Sequence, residues 1–164
     1  LLSPAFDKDG TVTVANASNI NDGAAVVLLM SRKKSEELLL KPMATLGAQA
    51  SAAQTPEWFT TAPAIAIEKV CKKESIGISD IDLFEINEAF AMVTILATRE
   101  LGLDPEKVNV HGGACALGHP VGASGARIIV TLLNALAKYQ LTKGVASLCI
   151  GGGEATAIAI ERIQ

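Results

Sequence analysis

Short apolar runs and longer helical repeats alternate along most of this chain. Runs rich in apolar and β-branched residues predict strands at Met43–Ala53, Ile81–Ile86, Val108–Val110, Gly144–Ile150 and Ala155–Ile163. Apolar residues at helical spacing predict helices that start near Thr60 or Thr61 and that cover Glu88–Leu101 and Val121–Tyr139. The order of elements from Pro42 onward is therefore βαβαβαββ.

This order predicts an α/β fold, with a mixed five-stranded sheet flanked by helices. Helices between strands favour parallel crossovers, which place the helices over the sheet. The last two strands are separated only by Gly151–Gly153, so they predict an antiparallel hairpin. In such sheets, ligands bind where strands end and loops begin.

Residues 1–40 follow a different pattern. An extended stretch at Gly10–Ala15 leads into the polar loop Asn16–Gly23. Ala24–Met30 predicts a buried strand, and Ser31–Leu40 predicts a polar surface helix. Because the chain begins with Leu1 and loop-like residues, we expect a fragment or a processed product.

Composition and charge limit the classes of function. The 164 residues are 49% hydrophobic and carry a net charge of −3, with Lys and Arg scattered, so a packed core is expected and nucleic-acid binding is not. The run Ala24–Met30 is too short to span a bilayer, so no membrane association is expected. Cys71, Cys115 and Cys149 lack the spacing of a metal site or a disulfide framework, which fits a reducing compartment.

Asn87 lies where a predicted strand hands over to a helix. Its carboxamide can donate and accept hydrogen bonds at the edge of a cleft. Alternatively, Asn87 is only the helix N-cap, followed by Glu88 at a position that the helix dipole favours.

The stretch Gly112–Arg127 contains five glycines, which are costly to order and permit close backbone approach. Pro120 is expected in the first turn of a helix, which would place His119 just before the helix N-terminus. The helix dipole there disfavours imidazolium and suits a neutral base or hydrogen-bond donor. The alternative is a structural histidine at a helix–sheet junction.

Cys149 ends a predicted buried strand, and Gly151–Gly153 follow almost at once. Backbone N–H groups of such a turn can face an oxyanion or a thioester oxygen. Alternatively, Cys149 is a small hydrophobic core residue. Cys71 lies on an apolar helix face and is predicted to be core, and no feature indicates that Cys115 is reactive.

Together, these loops resemble the thiolase family along essentially the whole chain. The matching motifs, in the family's order, are NEAF at Asn87–Phe90, GHP within Gly112–Arg127 and CxGGG at Cys149–Gly153. The loop before the family's C-terminal domain is similar to Gly10–Thr13, Asn16–Ser18 and Asn21–Ala25. The resemblance implies a thiolase-like fold, with residues 1–40 as the end of the N-terminal region and residues 41–164 as the C-terminal domain.

The resemblance also implies a role for each matching residue. His119 would activate the family's nucleophilic cysteine and later hold the thioester oxygen. Cys149 would take the α-proton of acetyl-CoA in synthesis and return it in cleavage. Its thiolate can serve as the base if nearby dipoles lower its pKa. Asn87 would position a water that forms an oxyanion hole with His119. Contacts to coenzyme A are implied for Ser18, Ala89, Phe90 and Gly151.

The family's acyl-carrying cysteine is expected ahead of Leu1, and none of the three cysteines matches it. By resemblance, the chain supplies the acid–base half of the site, needs the N-terminal thiolase half as partner, and is inactive alone. The implied reaction is condensation or thiolysis of acyl-CoA, with two acetyl-CoA giving acetoacetyl-CoA and CoA as the leading choice. Alternatives are a degradative 3-ketoacyl-CoA thiolase, a non-catalytic CoA-binding module and a ketoacyl synthase relative.

Further expectations concern ligands, assembly and location. Coenzyme A or acyl-CoA is expected as substrate, with no metal and no tightly bound cofactor. A homo-oligomer, dimeric or tetrameric, and a cytoplasmic location are expected, with organellar targeting left open. Two positions depart from the family pattern: His111, expected to be structural, and Glu154–Thr156 at the outer edge of the pocket.

Overall fold

The computed structural model describes residues 2–163. Its helices and strands are, in order, α1 (Arg32–Glu37), β1 (Ala44–Ala53), α2 (Ala62–Glu74), β2 (Leu83–Ile86), α3 (Ala91–Leu101), α4 (Ala114–Leu117), α5 (Ser124–Lys138), β3 (Lys143–Ile150) and β4 (Glu154–Arg162). Single 3₁₀ turns lie at Pro56–Trp58, Ile78–Asp80 and Pro105–Lys107. Within residues 2–163, none of the helices is long and apolar enough to cross a bilayer.

The four strands form one mixed sheet in the order β1-β4-β3-β2. β2 runs parallel to β3, whereas β4 pairs antiparallel with both β1 and β3. The α/β fold and the C-terminal hairpin are therefore confirmed. The prediction of five strands is wrong, since the described residues form four.

The segment Val108–Val110 does not become a fifth strand because Asn109 turns the backbone. Asn109 has a φ of 48°, which is left-handed. Its side-chain amide bonds both backbone groups of Ile86, accepting from the N–H at 2.7 Å and donating to the carbonyl at 2.8 Å. A side chain thus replaces the next strand at the edge of β2, and only Val108 makes a parallel bridge, to Phe84.

Two apolar clusters cover the two faces of the sheet. Neighbouring strand residues point to opposite faces, and Val145 and Ala146 accordingly belong to different clusters. The first cluster packs α2 and α3 against the sheet, and it contains Cys71, as predicted. The second packs α5 against the other face through Ile128, Leu132 and Leu136. Both helix layers anchor loops that carry candidate site residues.

The predicted buried strand Ala24–Met30 is wrong. The segment has no regular secondary structure, and Val26 and Leu28 are 86% and 78% exposed. A strand must satisfy its backbone groups by pairing, and none of β1–β4 pairs with this segment. The predicted surface helix forms but is short. The Ser31 side chain caps it by accepting a hydrogen bond from the backbone N–H of Lys34.

Two helices begin three residues later than predicted. α3 begins at Ala91 instead of Glu88, and α5 begins at Ser124 instead of Val121. Pro120 is therefore not in the first helical turn, although its carbonyl accepts the N–H of Ser124 at 2.9 Å. The late starts leave the NEAF and GHP motifs in loops rather than in helices.

Gly153 closes the turn of the β3–β4 hairpin with a φ of 99°. A Cβ at this position would clash with the backbone carbonyl of Gln54. We expect Gly153→Ala to lower the free energy of unfolding by about 2 kcal/mol, because strain and clash add. Urea denaturation measures this. Gly122→Ala is the control, since a Cβ there meets nothing within 4 Å; equal losses in both variants would contradict the prediction.

Candidate active site

The sheet brings the NEAF and CxGGG motifs to one edge. Parallel strands end at the same edge, so the residues after β2 lie beside the end of β3. Asn87 follows β2 directly, and its backbone N–H donates to the carbonyl of Ser147 at 2.9 Å. Ser147 lies two residues before Cys149 on the same strand and the same face. Asn87, directly after β2, and Cys149, near the end of β3, therefore lie at the same edge of the sheet. Their side chains leave opposite faces: Asn87 contacts Arg127 on α5, whereas Cys149 belongs to the cluster on the other face.

Cys149 is buried, with 9% of its surface exposed, and it pairs with Ala155 across the hairpin. Burial raises the pKa of the Cys149 thiol, against a smaller opposing effect of a backbone hydrogen bond. The condition that nearby dipoles lower this pKa is therefore not met in this chain, where burial has the larger effect. The resting group at neutral pH is a thiol, which can donate a proton directly but must lose one before it can act as a base.

His119 is held by its backbone and by its ring. The backbone N–H donates to the carbonyl of Asn19 at 2.8 Å, and Nδ1 lies 2.6 Å from the Ser124 hydroxyl oxygen. That hydroxyl also lies 3.1 Å from the carbonyl of Pro120, and it has one hydrogen to give. When Ser124 donates to Pro120, Nδ1 carries the histidine proton and Nε2 is a free base. When Ser124 donates to Nδ1, Nε2 carries the proton and is a donor.

His119 is favoured in its neutral form, as predicted, but for other reasons than the helix dipole. Burial lowers the pKa of His119, and the positive charge of Arg127 lowers it further. A neutral imidazole can accept a proton or donate one hydrogen bond at Nε2. Both abilities are needed in a site that first activates a nucleophile and then holds an oxygen.

Asn87 is fully buried and does not cap α3, so the N-cap interpretation is wrong; Phe90 holds that position. The Asn87 Oδ1 atom accepts a hydrogen bond from Arg127 at 3.1 Å. Since a guanidinium can only donate, this contact fixes which carboxamide atom is oxygen. The Nδ2 group is then left as a buried donor without a partner among residues 2–163.

Arg127 also forms a salt bridge with Glu85, 2.8 Å between Nη1 and Oε1. The Glu85 side chain is 2% exposed, and burial raises its pKa to about 7 although Arg127 opposes the shift. Sequence reasoning missed Glu85, Arg127 and Ser124. One signal was available, because Glu85 is a charged residue within the apolar run Ile81–Ile86.

Three of the residues predicted to contact coenzyme A lie together. The backbone N–H and the hydroxyl of Ser18 both donate to the carbonyl of Ala89, at 3.1 and 2.9 Å. The ring of Phe90 packs edge-on against Phe6 and Phe59, each at a centroid distance of 6.2 Å. Gly151 is exposed in the turn after β3, and no hydrogen bond within the described residues joins it to these three.

The remaining candidate positions have structural explanations. His111 stacks on Tyr139 at 5.6 Å. The backbone N–H of Cys115 donates to Glu88, and burial raises the pKa of the Cys115 thiol to about 11.

A cavity of about 400 Å³ next to His119 is lined by Asn21–Ala25 and Pro120–Ala123. Within the described part of the chain, no group of three or more His, Cys, Asp or Glu could hold a metal ion.

Two family models together match nearly the whole chain. The family model for the thiolase C-terminal domain matches residues 40–162, and that for the thiolase N-terminal domain matches residues 1–33. The chain is 52% identical over 162 residues to a probable acetyl-CoA acetyltransferase of Dictyostelium discoideum, covering 99% of this chain and 39% of the relative. It is 53% identical over 163 residues to a probable acetyl-CoA acyltransferase of Staphylococcus aureus, covering 99% and 41%.

Solved structures show the same relationship. The Bacillus anthracis acetyl-CoA acetyltransferase aligns with a TM-score of 0.96 at 48% identity, covering 99% of this chain and 41% of that one. A thiolase from Ascaris suum in complex with coenzyme A gives 0.90 at 47%, covering 99% and 42%. Human mitochondrial 3-ketoacyl-CoA thiolase gives 0.92 at 38%, covering 99% and 41%. The chain spans about two-fifths of the length of these relatives, and it belongs to the thiolase family.

Proposed function

We propose that this chain carries the acid–base half of a thiolase site, and that the protein to which it belongs condenses two acetyl-CoA into acetoacetyl-CoA and CoA. The observation that carries the proposal is the arrangement around Asn87. Its buried Nδ2 group has no hydrogen-bond partner among residues 2–163, and Asn87 directly follows β2 at the same sheet edge at which Cys149 lies near the end of β3. Arg127 on α5 contacts Asn87, and Ser124 on the same helix contacts His119.

These groups match what the condensation requires. An α-proton of a thioester is weakly acidic, so its removal needs a base and stabilisation of the enolate oxygen. Cys149 takes the proton, and donors from Asn87, through a water, and from His119 hold the oxygen. A preorganised donor at such an oxygen is worth about 3–4 kcal/mol. In the reverse direction, the neutral Cys149 thiol returns the proton to carbon.

The acyl group needs a nucleophile that this chain does not supply. Cys71 is buried in the core, Cys115 contacts Glu88, and Cys149 is assigned to proton transfer. The acyl-carrying cysteine is therefore proposed to come from an N-terminal thiolase half, with which this chain forms the complete site. On this view the chain alone is inactive. Ser18, Ala89, Phe90 and Gly151 are proposed to contact the pantetheine of coenzyme A.

Two other functions differ from this one in substrate or in class. A degradative thiolase would use the same acid–base residues on longer 3-ketoacyl-CoA. The curated relatives are almost equally similar, since the probable acetyl-CoA acetyltransferase is 52% identical and the probable acetyl-CoA acyltransferase 53%. Acetyl-CoA is therefore proposed on the NEAF motif together with the CxGGG motif. A non-catalytic CoA-binding module would have no need of a buried, unpartnered Asn87 donor at the sheet edge where Cys149 lies.

The test is a substrate series on the protein produced from its parent reading frame. Thiolysis is followed by the loss of 3-ketoacyl-CoA, from acetoacetyl-CoA to long-chain substrates. We expect the highest kcat/KM for acetoacetyl-CoA and no activity from residues 1–164 alone. A preference for long chains would support the degradative thiolase. A folded protein that binds CoA without turnover would support the binding module.

A further inference from the structure

The buried carboxamide of Asn87 has two orientations, and only one is useful for catalysis. Rotation by a half-turn exchanges the oxygen and the nitrogen at almost no steric cost. The main chain of Asn87 is fixed by its bond to Ser147, but that bond leaves the carboxamide free to turn. Some other group must decide whether the donor or the acceptor faces the site.

In this fold, the Arg127 guanidinium fixes the orientation of the Asn87 carboxamide. One terminal nitrogen of its guanidinium donates to Glu85 at 2.8 Å and the other donates to Asn87 Oδ1 at 3.1 Å. Glu85 and Asn87 are two residues apart along the extended chain, so they project from the same face. A planar guanidinium with parallel donors suits two acceptors placed in this way.

The ion pair keeps Arg127 in position. The Glu85 carboxylate is almost fully buried, and Arg127 itself is only 17% exposed. Moving the guanidinium away would leave both a buried charge and a buried carboxamide oxygen without partners, which is costly. Arg127 lies one turn after Ser124 on α5, so a single helix contacts both His119 and Asn87.

We propose that Arg127 is a positioning residue for the thiolase reaction: it holds the Asn87 carboxamide with Nδ2 toward the reacting oxygen, and Glu85 holds Arg127. The inference rests on the proposed function, and it adds a residue that acts through Asn87 and does not touch the substrate. Two other roles are distinguishable by experiment. Arg127 could act through its charge alone, or it could only support the packing of α5 on β2.

The experiment is a double-mutant cycle between Arg127→Lys and Asn87→Ala in the full-length protein, measured by acetyl-CoA condensation. Lysine keeps the charge but has a single nitrogen, which the Glu85 carboxylate attracts, so Asn87 loses its partner. We expect Arg127→Lys to lower kcat by about 100-fold with little change in KM. The Asn87 carboxamide is then free to turn its Nδ2 donor away from the reacting oxygen, and that donor acts in the transition state. In the Asn87→Ala background, the same change should have little further effect.

A second variant distinguishes a loss of carboxamide positioning from a folding defect. Glu85→Gln combined with Arg127→Met leaves no unpaired buried charge, and it should fold while also freeing the carboxamide. Its loss of kcat should again vanish in the Asn87→Ala background. Arg162→Lys is the matched control, since Arg162 donates to the carbonyl of Leu141 near the opposite end of β3. That control should leave kcat unchanged.

The outcomes separate the possible roles. Equal losses of kcat from Arg127→Lys with and without Asn87 would show that Arg127 does not act through the carboxamide, which overturns the inference. Full activity in Arg127→Lys would assign the effect to charge and overturn it as well. An unmodified protein that folds but has no condensation or thiolysis activity would instead overturn the proposed function.

Discussion

Replacing Cys149 with alanine is expected to lower kcat for acetyl-CoA condensation by about 10³–10⁴-fold, since the variant has no group to remove the α-proton. Cys149 sits on a buried strand paired on both sides, so the backbone should keep its place when the sulfur is lost. In the proposed division of roles, the acyl-enzyme step does not need this thiol. Condensation kinetics and trapping of the acyl-enzyme with radiolabelled acetyl-CoA therefore test the assignment together: turnover should collapse while acetylation persists.

The pH dependence gives an independent check on Cys149. Burial raises the pKa of this thiol above its ordinary value of 9.0, so the thiolate fraction at neutral pH is small and grows as pH rises. Condensation, which needs the base form, should therefore speed up with pH more steeply than thiolysis, which needs the acid form. Cys115→Ala serves as the control and should retain activity. A Cys149→Ala variant with unchanged turnover would remove Cys149 from the mechanism.

The sequence was most informative about the C-terminal sheet. All four ends of the strands β3 and β4 were predicted to within one residue, because a glycine turn divides two apolar runs. It was misleading at Ala24–Met30, where an equally apolar run has no strand beside it. An apolar run records what a segment can bury, whereas strand formation also depends on a neighbour that accepts its backbone hydrogen bonds.

The sequence indicated the motif residues of the candidate site but not the residues that orient them. The motif residues Asn87, His119 and Cys149 could be named because each stands in an unusual local context of polar or glycine-rich residues. The residues that orient them act across long sequence separations, as Arg127 does on Asn87, which lies 40 positions earlier. Helical periodicity gives the apolar face of α5, but it does not reveal where a polar side chain on its margin finds a partner.

The helix boundaries account for a further part of the difference. The predicted helices reached into both motifs, at Glu88 of NEAF by periodicity and at Pro120 of GHP because proline favours a first helical turn. In the folded chain, tertiary hydrogen bonds take these segments out of the helices: Ser18 bonds to Ala89, and Asn19 to His119. Bonds between distant segments can override a local preference for helix. The same bonds keep the catalytic candidates on loops at the sheet edge.

Replacing His119 is expected to remove two contributions that can be separated. His119→Ala should lower kcat by about 10⁴-fold, because in the proposed mechanism it deletes both the base that activates the nucleophile and one donor to the thioester oxygen. His119→Asn keeps a side-chain donor without a base. It should therefore acetylate the nucleophile as slowly as the alanine variant, yet recover part of the condensation step. Single-turnover kinetics from pre-formed acyl-enzyme measure that second step directly.

The decrease in the acetylation rate at low pH is a second test of His119. Burial and the charge of Arg127 lower the pKa of His119 below its ordinary value of 6.5, so the imidazole stays neutral at physiological pH and becomes protonated only as pH falls further. Acetylation of the enzyme should hold its neutral-pH rate to a lower pH than a histidine of ordinary pKa would allow and then fall, because imidazolium cannot accept a proton. His119→Asn should lose this acid limb entirely. An acid limb that survives in that variant would mean that a different group activates the nucleophile.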